Sequence, residues 1–434
     1  MKDFARSESP AVQAQLNRLG ALSVPEGRLG LDTIRALLAR LGDPHKRLPP
    51  VFHVAGTNGK GSTSAFLRAI LEAQGYAVHA TISPHLVLYN ERIRIAGNLI
   101  SDARLAELLE QVLDLGEDLQ PSFFEVTIAA AFTEFARVPA DACVVEVGLG
   151  GRFDATNVIE HPAVCGIAAL GLDHERFLLV PEDGVPTDPL ARIGFEKAGI
   201  AKSGVPLVTQ AYPDHVARAV MAQARKAGAI AVLRDRDWSA RPLPDTLLYR
   251  DGTGRDGIDE LHLPLPLLAG EHQADNAALA VAMLRHQSAL PVSSQAMGSG
   301  IRAARWPARL QRLNGGPLTG DREVWLDGGH NPSAGAALGT HFKGRRLHLI
   351  MGMLANKDPG SLTGPLAASI ASIAAVPVPG HEWHPAKAFG PQARAFDDVP
   401  AALAAVPDDG LPVLIAGSLY LAGEVLRLNG ELPD

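Results

Sequence analysis

The stretch Val51-Phe52-His53-Val54-Ala55-Gly56-Thr57-Asn58-Gly59-Lys60-Gly61-Ser62-Thr63 decides the fold of this chain. It begins with a short apolar, β-branched run, which predicts a buried strand. Three glycines and a lysine follow, and apolar residues then recur at helical spacing from Ser62 to Gln74, before Gly75. This order predicts a phosphate cradle, because backbone N–H groups at a helix N-terminus point towards an anion.

The side chains of this stretch suit a nucleotide with a metal ion. Lys60 would reach the terminal phosphates, and Ser62 or Thr63 would offer a hydroxyl to Mg²⁺. The spacing departs from the common nucleotide-binding loop, because Gly61 separates Lys60 from the hydroxyls and Val54 stands where the first glycine is expected. A glycine-rich turn with an exposed lysine is the alternative. The predicted nucleotide-binding residues here are Gly56, Thr57, Asn58, Gly59, Lys60, Gly61, Ser62 and Thr63.

Composition sets broad limits on the fold and the function. The 434 residues are enough for two or three domains, and 47% hydrophobic with 20% charged residues is ordinary for a globular protein. The net charge of -7 argues against non-specific nucleic-acid binding. Cys143 and Cys165 lie in apolar runs, so we expect buried thiols in a reducing compartment. The segment Met1–Gly20 lacks the apolar core of a signal peptide, and no apolar run approaches the roughly 20 residues of a membrane span, so we expect a cytoplasmic protein.

The phosphate-loop sequence resembles that of a known superfamily. Gly56–Ser62 resembles the phosphate loop of the Mur ligases, and with Leu41-Gly42-Asp43-Pro44 and His53-Val54-Ala55 it resembles the folylpolyglutamate synthase/dihydrofolate synthase family. Residues 11–42 read as largely helical, so we expect no uridine-nucleotide domain ahead of the loop, unlike in cell-wall Mur ligases. The resemblance covers nearly the whole chain in a consistent order.

The expected fold class is α/β, with an N-terminal P-loop-type, mostly parallel sheet flanked by helices and a smaller C-terminal Rossmann-like α/β domain. Alternating strands and helices after residue 311 predict the smaller sheet. The predicted domains are 1–300, which binds ATP and folate, a linker at 301–310, and a glutamate-ligase domain at 311–434. Strands are also predicted within 205–209, 229–233 and 247–263.

A polar segment follows the second predicted strand, which covers residues 76–82. Ser83 lies where ligands gather in parallel α/β sheets, at the carboxyl end of a strand. The alternative is an ordinary polar loop. The resemblance implies that this loop binds metal through Ser83 and folate through Pro84, His85 and Arg92.

Glu146 is a lone carboxylate near the end of the apolar run Asp141–Gly148. Such a group is costly to bury unless it is paired or bound to a metal, and Mg²⁺ prefers oxygen ligands. We therefore predict a Mg²⁺ ligand, with a structural ion pair as the alternative. The following segment resembles the family signature that places an aspartate near the pterin, which implies folate contacts from Arg152 and Asp154. Phe124 resembles an aromatic position near the pterin, although core packing is its default role.

Two further motifs bear on the metal and the chemistry. Asp173-His174 follows the predicted strand 163–170, and the resemblance implies that His174 is a metal ligand. By chemistry alone Glu196-Lys197 is a charged pair on a solvated helix face. The resemblance instead implies that Lys197 is carbamylated, which would let it bind a second Mg²⁺. The path of the proline- and glycine-rich segment 177–189 stays open.

Nucleotide contacts are also predicted outside the phosphate loop. His272, Gln273 and Asn276 precede an alanine-rich helix, where the family places adenine and phosphate contacts and where helix capping is the alternative. The segment Trp306–Leu310 resembles a family segment, in which Arg309 would stabilise the transferring phosphoryl group; a surface arginine is the alternative. Asp327-Gly328-Gly329-His330-Asn331-Pro332 ends a strand, so that Asp327 can accept from ribose hydroxyls and His330 can touch the γ-phosphate. His381, Trp383 and His384 do not have metal-site spacing and are interpreted as loop residues.

The resemblance implies ATP-driven amide ligation, in which L-glutamate is added to dihydropteroate, to folate polyglutamates or to both through an acyl phosphate. The implied cofactors are ATP and two Mg²⁺ ions, and we expect a monomer. The implied catalytic residues are Lys60, His174, Lys197, Arg309 and His330, with the active site expected between the two domains. The alternatives are another Mur-type amide ligase, a plain ATP hydrolase or kinase, and a non-catalytic nucleotide-binding regulator. The sequence does not separate dihydrofolate synthesis from polyglutamate extension.

Overall fold

The structure, a computed structural model, describes residues 7–22, 30–253 and 259–433. The chain divides into two compact units. The first holds most of the chain up to Arg305, and the second holds the chain from Trp306 together with the short segments His85–Val87 and Leu268–His272. The change of unit falls inside the segment 301–310, for which the sequence predicts a linker.

An eight-stranded sheet forms the framework of the first unit. Its strands are β1 (Val51–Ala55), β2 (Val78–Thr81), β3 (Ile93–Ile95), β4 (Asn98–Leu99), β5 (Ala142–Glu146), β6 (Val164–Ile167), β7 (Pro206–Thr209) and β8 (Ile230–Leu233). Their spatial order is β4-β3-β2-β5-β1-β6-β7-β8. The pairs β2–β3 and β3–β4 are antiparallel, and the other neighbours are parallel. All five residues of β1 are buried, as the apolar run predicts for an interior parallel strand.

Ten α-helices precede residue 305 in the described part of the chain. They are α1 (Pro10–Ala21), α2 (Asp32–Arg40), α3 (Lys60–Ala73), α4 (Asp102–Gly116), α5 (Phe123–Arg137), α6 (Glu175–Leu178), α7 (Pro189–Lys197), α8 (Asp214–Ala227), α9 (His272–His286) and α10 (Ser294–Ala303). Within the predicted helical stretch 11–42, residues 23–29 lie outside the described residues, as do residues 1–6 of the N-terminal segment. The start of α5 follows from its sequence, because Ser122 and Glu125 form a reciprocal capping box.

Apolar clusters hold these helices against the sheet. One cluster joins α1, α2, α4 and α5 to β1 and β5, and another joins α8 to β6 and β7. Cys143 and Cys165 are both free and buried, which confirms the prediction of buried thiols. No helix of the described residues is long and apolar enough to cross a membrane.

A separate three-stranded antiparallel sheet precedes α9. It consists of β9 (Trp238–Pro242), β10 (Thr246–Asp251) and β11 (Glu260–Pro264) in the order β11-β10-β9. The strand β9 was not predicted, and residues 254–258 of the predicted stretch 247–263 lie outside the described residues. The buried Asp251 accepts hydrogen bonds from Arg285 and Tyr249, so an ion pair ties this sheet to α9.

The second unit is built on a smaller, mostly parallel sheet. Its strands are β12 (Gln311–Arg312), β13 (Val324–Asp327), β14 (Leu347–Met351), β15 (Ile370–Ala375), β16 (Arg394–Ala395) and β17 (Val413–Ala416), in the order β12-β13-β17-β14-β15-β16. Only β12 is antiparallel to its neighbour among these described strands. The helices are α11 (Pro332–His341), α12 (Gly360–Leu366), α13 (Val399–Ala404) and α14 (Leu419–Asn429). The predicted fold class, with a large parallel-rich sheet and a smaller α/β sheet, is confirmed.

The contact between α3 and α10 supplies a test of this packing. A Cβ atom added at Gly300 would lie 2.4 Å from the Cα atom of Ile70, in the backbone of α3. We expect Gly300→Ala to lower the free energy of unfolding by about 1–3 kcal/mol, the usual cost of overpacking. Urea unfolding followed by circular dichroism measures this. The matched control is Gly20→Ala in the exposed part of α1, where a Cβ meets nothing within 4 Å and a gain of about 0.5–1 kcal/mol is expected. Equal effects of the two substitutions would contradict the close packing.

Candidate active site

The phosphate loop joins the carboxyl end of β1 to the first residue of α3. Gly59 has φ +82°, a left-handed conformation that favours glycine, and α3 begins at Lys60, two residues earlier than the predicted start. A Cβ atom at Gly59 would lie 2.3 Å from the side-chain oxygen of Asn276, so the loop has no room for a larger residue here. The loop therefore presents the N-terminus of α3, as an anion site requires.

Hydrogen bonds hold this loop to the segment after β6. The amide of Thr57 donates to the carbonyl of Ala169 over 2.8 Å, and the amide of Asn58 donates to the same carbonyl over 3.2 Å. The Thr57 hydroxyl donates to the Gly171 carbonyl over 2.9 Å and accepts from the Gly171 amide over 3.1 Å. These bonds fix the loop to the chain that leads to His174.

The side chain of Lys60 folds back onto the phosphate loop. Its Nζ atom donates to the carbonyls of Gly56 and Thr57 over 3.0 and 3.2 Å. Ser62 and Thr63 are buried in the first turn of α3, and the Thr63 hydroxyl is without a hydrogen-bond partner in the described part of the chain. If Lys60 binds phosphate oxygens as the sequence predicts, its ammonium group has to leave these loop carbonyls.

The predicted metal ligands follow neighbouring strands of the first sheet. Glu146 is the last residue of β5, is buried and lies opposite Val54 of β1. Ser83 follows β2, and His174 follows β6, immediately before α6. Since β2, β5, β1 and β6 are consecutive parallel strands, their carboxyl ends share one edge of the sheet. The described residues contain no group of three or more His, Cys, Asp or Glu side chains arranged to hold a metal.

Lys197 ends α7 and is buried, as is its neighbour Glu196. The alternative of a solvated helix face is therefore wrong for this pair. Burial, followed by the positive charge of Lys60, lowers the pKa of the Lys197 amine to about 7, against the opposing effects of Asp173 and Asp154. A lysine of this kind is partly neutral near pH 7, which makes its nitrogen a nucleophile.

Asp154 is buried in the loop that follows β5. Its carboxylate accepts hydrogen bonds from the Leu149 amide over 2.8 Å, from the Thr156 amide over 3.0 Å and from the Thr156 hydroxyl over 2.5 Å. Burial raises the pKa of the Asp154 carboxyl above its ordinary value, and these hydrogen bonds oppose that shift. Phe124 packs closely on the same loop, because a Cβ atom at Gly148 would lie 2.5 Å from the ring.

Two predicted folate-binding arginines already have partners inside the first unit. Arg152 donates to Glu182 over 2.6 and 3.1 Å and to Glu196 over 2.7 and 3.0 Å. Arg192 pairs with the same two carboxylates, so two arginines and two glutamates form one ion-pair network. This network lies beside a cavity of about 60 Å³. Arg92 is buried, with its guanidinium 5.4 Å from the ring centre of Phe123. Direct folate contacts from these arginines stay predictions.

The remaining predicted folate residues are Pro84 and His85. Pro84 belongs to the first unit, whereas His85 is buried and belongs to the second.

Sequence reasoning gave no role to Glu182 or Arg192. The only signal was the spacing of Arg192 and Glu196 by four residues, which favours a helical ion pair.

Residues predicted to contact the nucleotide begin α9. The helix starts at His272, and Gln273 and Asn276 are both buried, with the Asn276 amide donating to Gln273 over 3.1 Å. Asn276 also lies against Gly59 of the phosphate loop. Its position suits a group that orients bound phosphates, although that role stays a prediction.

In the second unit the predicted residues gather at the carboxyl end of β13. The buried Asp327 accepts from the Leu310 amide over 2.8 Å and from the Gly329 amide over 2.7 Å. His330 contacts the Gly328 carbonyl through Nδ1 over 3.1 Å, and Arg309 donates to the Ala308 carbonyl over 3.2 Å. The chain thus places these three side chains close in one loop cluster.

The histidines near Trp383 make protein contacts. His384 contacts the Lys357 carbonyl over 2.6 Å, and the His381 ring stacks on Tyr420 with the ring centres 3.9 Å apart. These contacts agree with their interpretation as loop residues.

Known proteins resemble this chain over most of its length. No family model matches it. Folylpolyglutamate synthase of Lacticaseibacillus casei is 34% identical over 418 residues, which cover 90% of this chain and 92% of that protein. A probable bifunctional folylpolyglutamate synthase/dihydropteroate synthase of Halobacterium salinarum is 33% identical, and the chain spans 49% of its length.

Solved structures show the same likeness in three dimensions. The structure of Escherichia coli FolC in complex with DHPP and ADP has a TM-score of 0.84 at 31% identity and covers 98% of this chain and 99% of that one. A bifunctional folylpolyglutamate synthase/dihydrofolate synthase with Mn, AMPPNP and L-glutamate bound has a TM-score of 0.82 at 31% identity, with the same coverage. The sheet order, the phosphate loop and this similarity agree, and the chain belongs to the folylpolyglutamate synthase/dihydrofolate synthase family of ATP-dependent ligases.

Proposed function

We propose that this chain joins L-glutamate to dihydropteroate, to folates or to both, at the expense of ATP. The observation that carries the proposal is the single sheet edge that holds the phosphate loop, the buried Glu146 and the segment that leads to His174. Family membership supports the reaction class, because one related structure contains DHPP and ADP and another contains Mn, AMPPNP and L-glutamate. The substrate carboxylate attacks the γ-phosphorus of ATP and releases ADP, and the amine of glutamate then attacks the acyl phosphate and expels phosphate.

The chain contributes position and charge to this reaction. Lys60 holds the terminal phosphates, and backbone N–H groups at the start of α3 bind their oxygens. In the second unit Arg309 and His330 would stabilise charge on the transferring phosphoryl group, while Asp327 accepts from the ribose. Gln273 and Asn276 would orient the nucleotide from α9.

The residues at the sheet edge fit a hard divalent cation. Ser62 and Glu146 offer oxygen ligands, and Ser83, His174 and a carbamylated Lys197 offer further ligands, so we propose two Mg²⁺ ions. A bound Mg²⁺ ion would neutralise phosphate charge and polarise the γ-phosphate. We also infer that the folate binds along Phe124 and Asp154, with the loop from Pro84 to Arg92 beside it, and that the enzyme acts as a cytoplasmic monomer.

One assay separates the proposal from its alternatives. ATP consumption is measured with L-glutamate and either dihydropteroate or a reduced folate, and the amide product is identified. Phosphate release that needs none of these substrates would indicate an ATP hydrolase. Release that depends on a different carboxylic acid would indicate another Mur-type ligase.

Removal of the lysine tests the role of the phosphate loop. We expect Lys60→Ala to lower the rate of ATP-dependent ligation by about 10²-fold or more, because a charge aimed at the phosphoryl group is lost. Circular dichroism should show an unchanged fold. The control Lys46→Ala removes an exposed lysine paired with Asp43 and should keep full activity. Full activity of Lys60→Ala would refute the assignment.

The conformation of the loop gives a second, independent test. Gly59→Ala should raise the KM for ATP at least about tenfold, because the added methyl group would meet the Asn276 side chain at a strained φ. The control Gly204→Ala carries the same kind of strain, at φ +71°, in open space. It should cost about 1–2 kcal/mol of stability and leave the KM for ATP unchanged. An equal effect of both variants on that KM would show that strain alone, and not loop shape, matters.

Carbamylation of Lys197 is tested directly with labelled bicarbonate. The amine is the reactive form, and its pKa of about 7 means that the neutral fraction grows as the pH rises through 7. We expect a ¹³C carbamate signal that increases from pH 6 to pH 8 and is absent in Lys197→Ala. Lys202→Arg should retain the signal, because Lys202 donates to the Asn157 carbonyl outside the proposed metal site. A wild-type spectrum without a carbamate signal at pH 8 would overturn the assignment.

A further inference from the structure

His53 is an unusual residue for the centre of a parallel sheet. It is the middle residue of β1, it is fully buried, and its neighbours on the adjacent strands are Val145 and Cys165. Burial of an imidazole among apolar strands is costly unless the ring is hydrogen-bonded. The phosphate loop does not use this side chain, so the burial of His53 in the strand needs another explanation.

The ring contacts a short chain of polar groups that ends at Asp154. The Nε2 atom of His53 lies 2.9 Å from the hydroxyl oxygen of Thr156, and that hydroxyl lies 2.5 Å from a carboxylate oxygen of Asp154. Thr156 is completely buried. These hydrogen bonds therefore link β1, which leads into the phosphate loop, to the Asp154 segment that is proposed to bind the pterin.

The direction of these hydrogen bonds follows from the number of protons. An ionised Asp154 can only accept, so the Thr156 hydroxyl must donate to it and must accept from His53. His53 then carries its proton on Nε2. The Nδ1 atom is left as a bare acceptor, and it has no hydrogen-bond partner among the described residues.

The opposite direction is disfavoured. It would need a protonated Asp154, although two backbone N–H groups donate to that carboxylate, and it would place the His53 proton on Nδ1. It would also weaken the bonds from the amides of Leu149 and Thr156 to the carboxylate. Burial, with the nearby charge of Lys202, lowers the pKa of His53 to about 3, so the ring is neutral at ordinary pH.

We propose that His53 is a positioning residue for folate binding: its Nε2–H orients the Thr156 hydroxyl, which fixes the Asp154 carboxylate towards the pterin. The inference rests on the proposed function, because Asp154 is taken to contact the folate. A carboxylate that is already ordered loses less conformational entropy when the substrate binds. His53 itself touches neither substrate nor nucleotide in this proposal.

Kinetics of matched variants test the proposal. Thr156→Val removes only the hydroxyl and should raise the KM for the pteroate substrate about 10- to 100-fold, with kcat and the KM for ATP within about twofold. Thr156→Ser keeps the hydroxyl and should restore the KM to within about threefold. The control Thr133→Val removes a hydroxyl that bonds to its own helix, at the Ala129 carbonyl, and should change neither KM.

The histidine is tested in the same way. In His53→Gln the side-chain amide can replace the Nε2–H donor, so its KM should stay near that of the wild type, whereas His53→Leu should resemble Thr156→Val. The double variant His53→Leu/Thr156→Val should be no worse than Thr156→Val alone. Equal KM values in wild type and Thr156→Val, or an equal rise in the KM for ATP, would overturn the proposal even if the His53 variants fail to fold.

A spectroscopic measurement separates this proposal from the proposed function. In protein labelled with ¹⁵N-histidine, the His53 signals, assigned by their loss in His53→Gln, should report a neutral ring protonated at Nε2 from pH 5 to pH 9. An Nδ1-protonated or charged ring would refute the hydrogen-bond chain. If no pteroate or folate supports ligation, the proposed function fails, while the spectrum still decides the direction of these bonds.

Discussion

The pairing of β1 between β5 and β6 is the constraint on which the candidate active site depends. Val54 lies opposite Glu146, and Ala55 lies opposite Ile167, so the three strands end at nearly the same level. The phosphate loop, the acidic strand end and the segment that leads to His174 consequently emerge together. A shift of one residue in this register would turn Glu146 to the other face of the sheet. The hydrogen bonds from Thr57 to the chain after β6 hold the loop in that register.

Charge accumulates at this edge in a way that folding alone does not favour. Lys197 is buried near the positive charge of Lys60, which adds to burial in disfavouring the ammonium form of Lys197. An anionic triphosphate bound at Lys60 would remove part of that repulsion. A carbamate on Lys197 would reverse its charge and let the same position hold a cation. The site is thus organised for ligands that bring both negative charge and a metal, which agrees with the chemistry of the family.

Local patterns predicted the fold class, but they missed β9 and did not reveal contacts between distant segments. The strand β1, the loop and α3 follow from periodicity and glycine placement, and the alternation after residue 311 predicts the smaller sheet. The partnership of Arg152 with Glu182 joins residues 30 positions apart, and nothing in the proline- and glycine-rich segment indicates it. His53, unlike Glu182, could have been found from the sequence. The argument that singled out Glu146, a polar group in a buried strand, applies equally to this histidine.

Two buried aspartates, one in each unit, are held in the same way by hydrogen bonds from backbone amides. Asp154 accepts from the Leu149 amide and from Thr156, and Asp327 accepts from the amides of Leu310 and Gly329. In each case a backbone N–H group donates to each oxygen of a buried carboxylate, and at Asp154 the Thr156 hydroxyl adds a third hydrogen bond. A flexible carboxylate would have to be ordered and desolvated when a ligand binds, whereas folding has already ordered and desolvated these two. The loops around them therefore set the direction of each carboxylate, because a change in loop shape would turn the carboxylate without altering its chemistry.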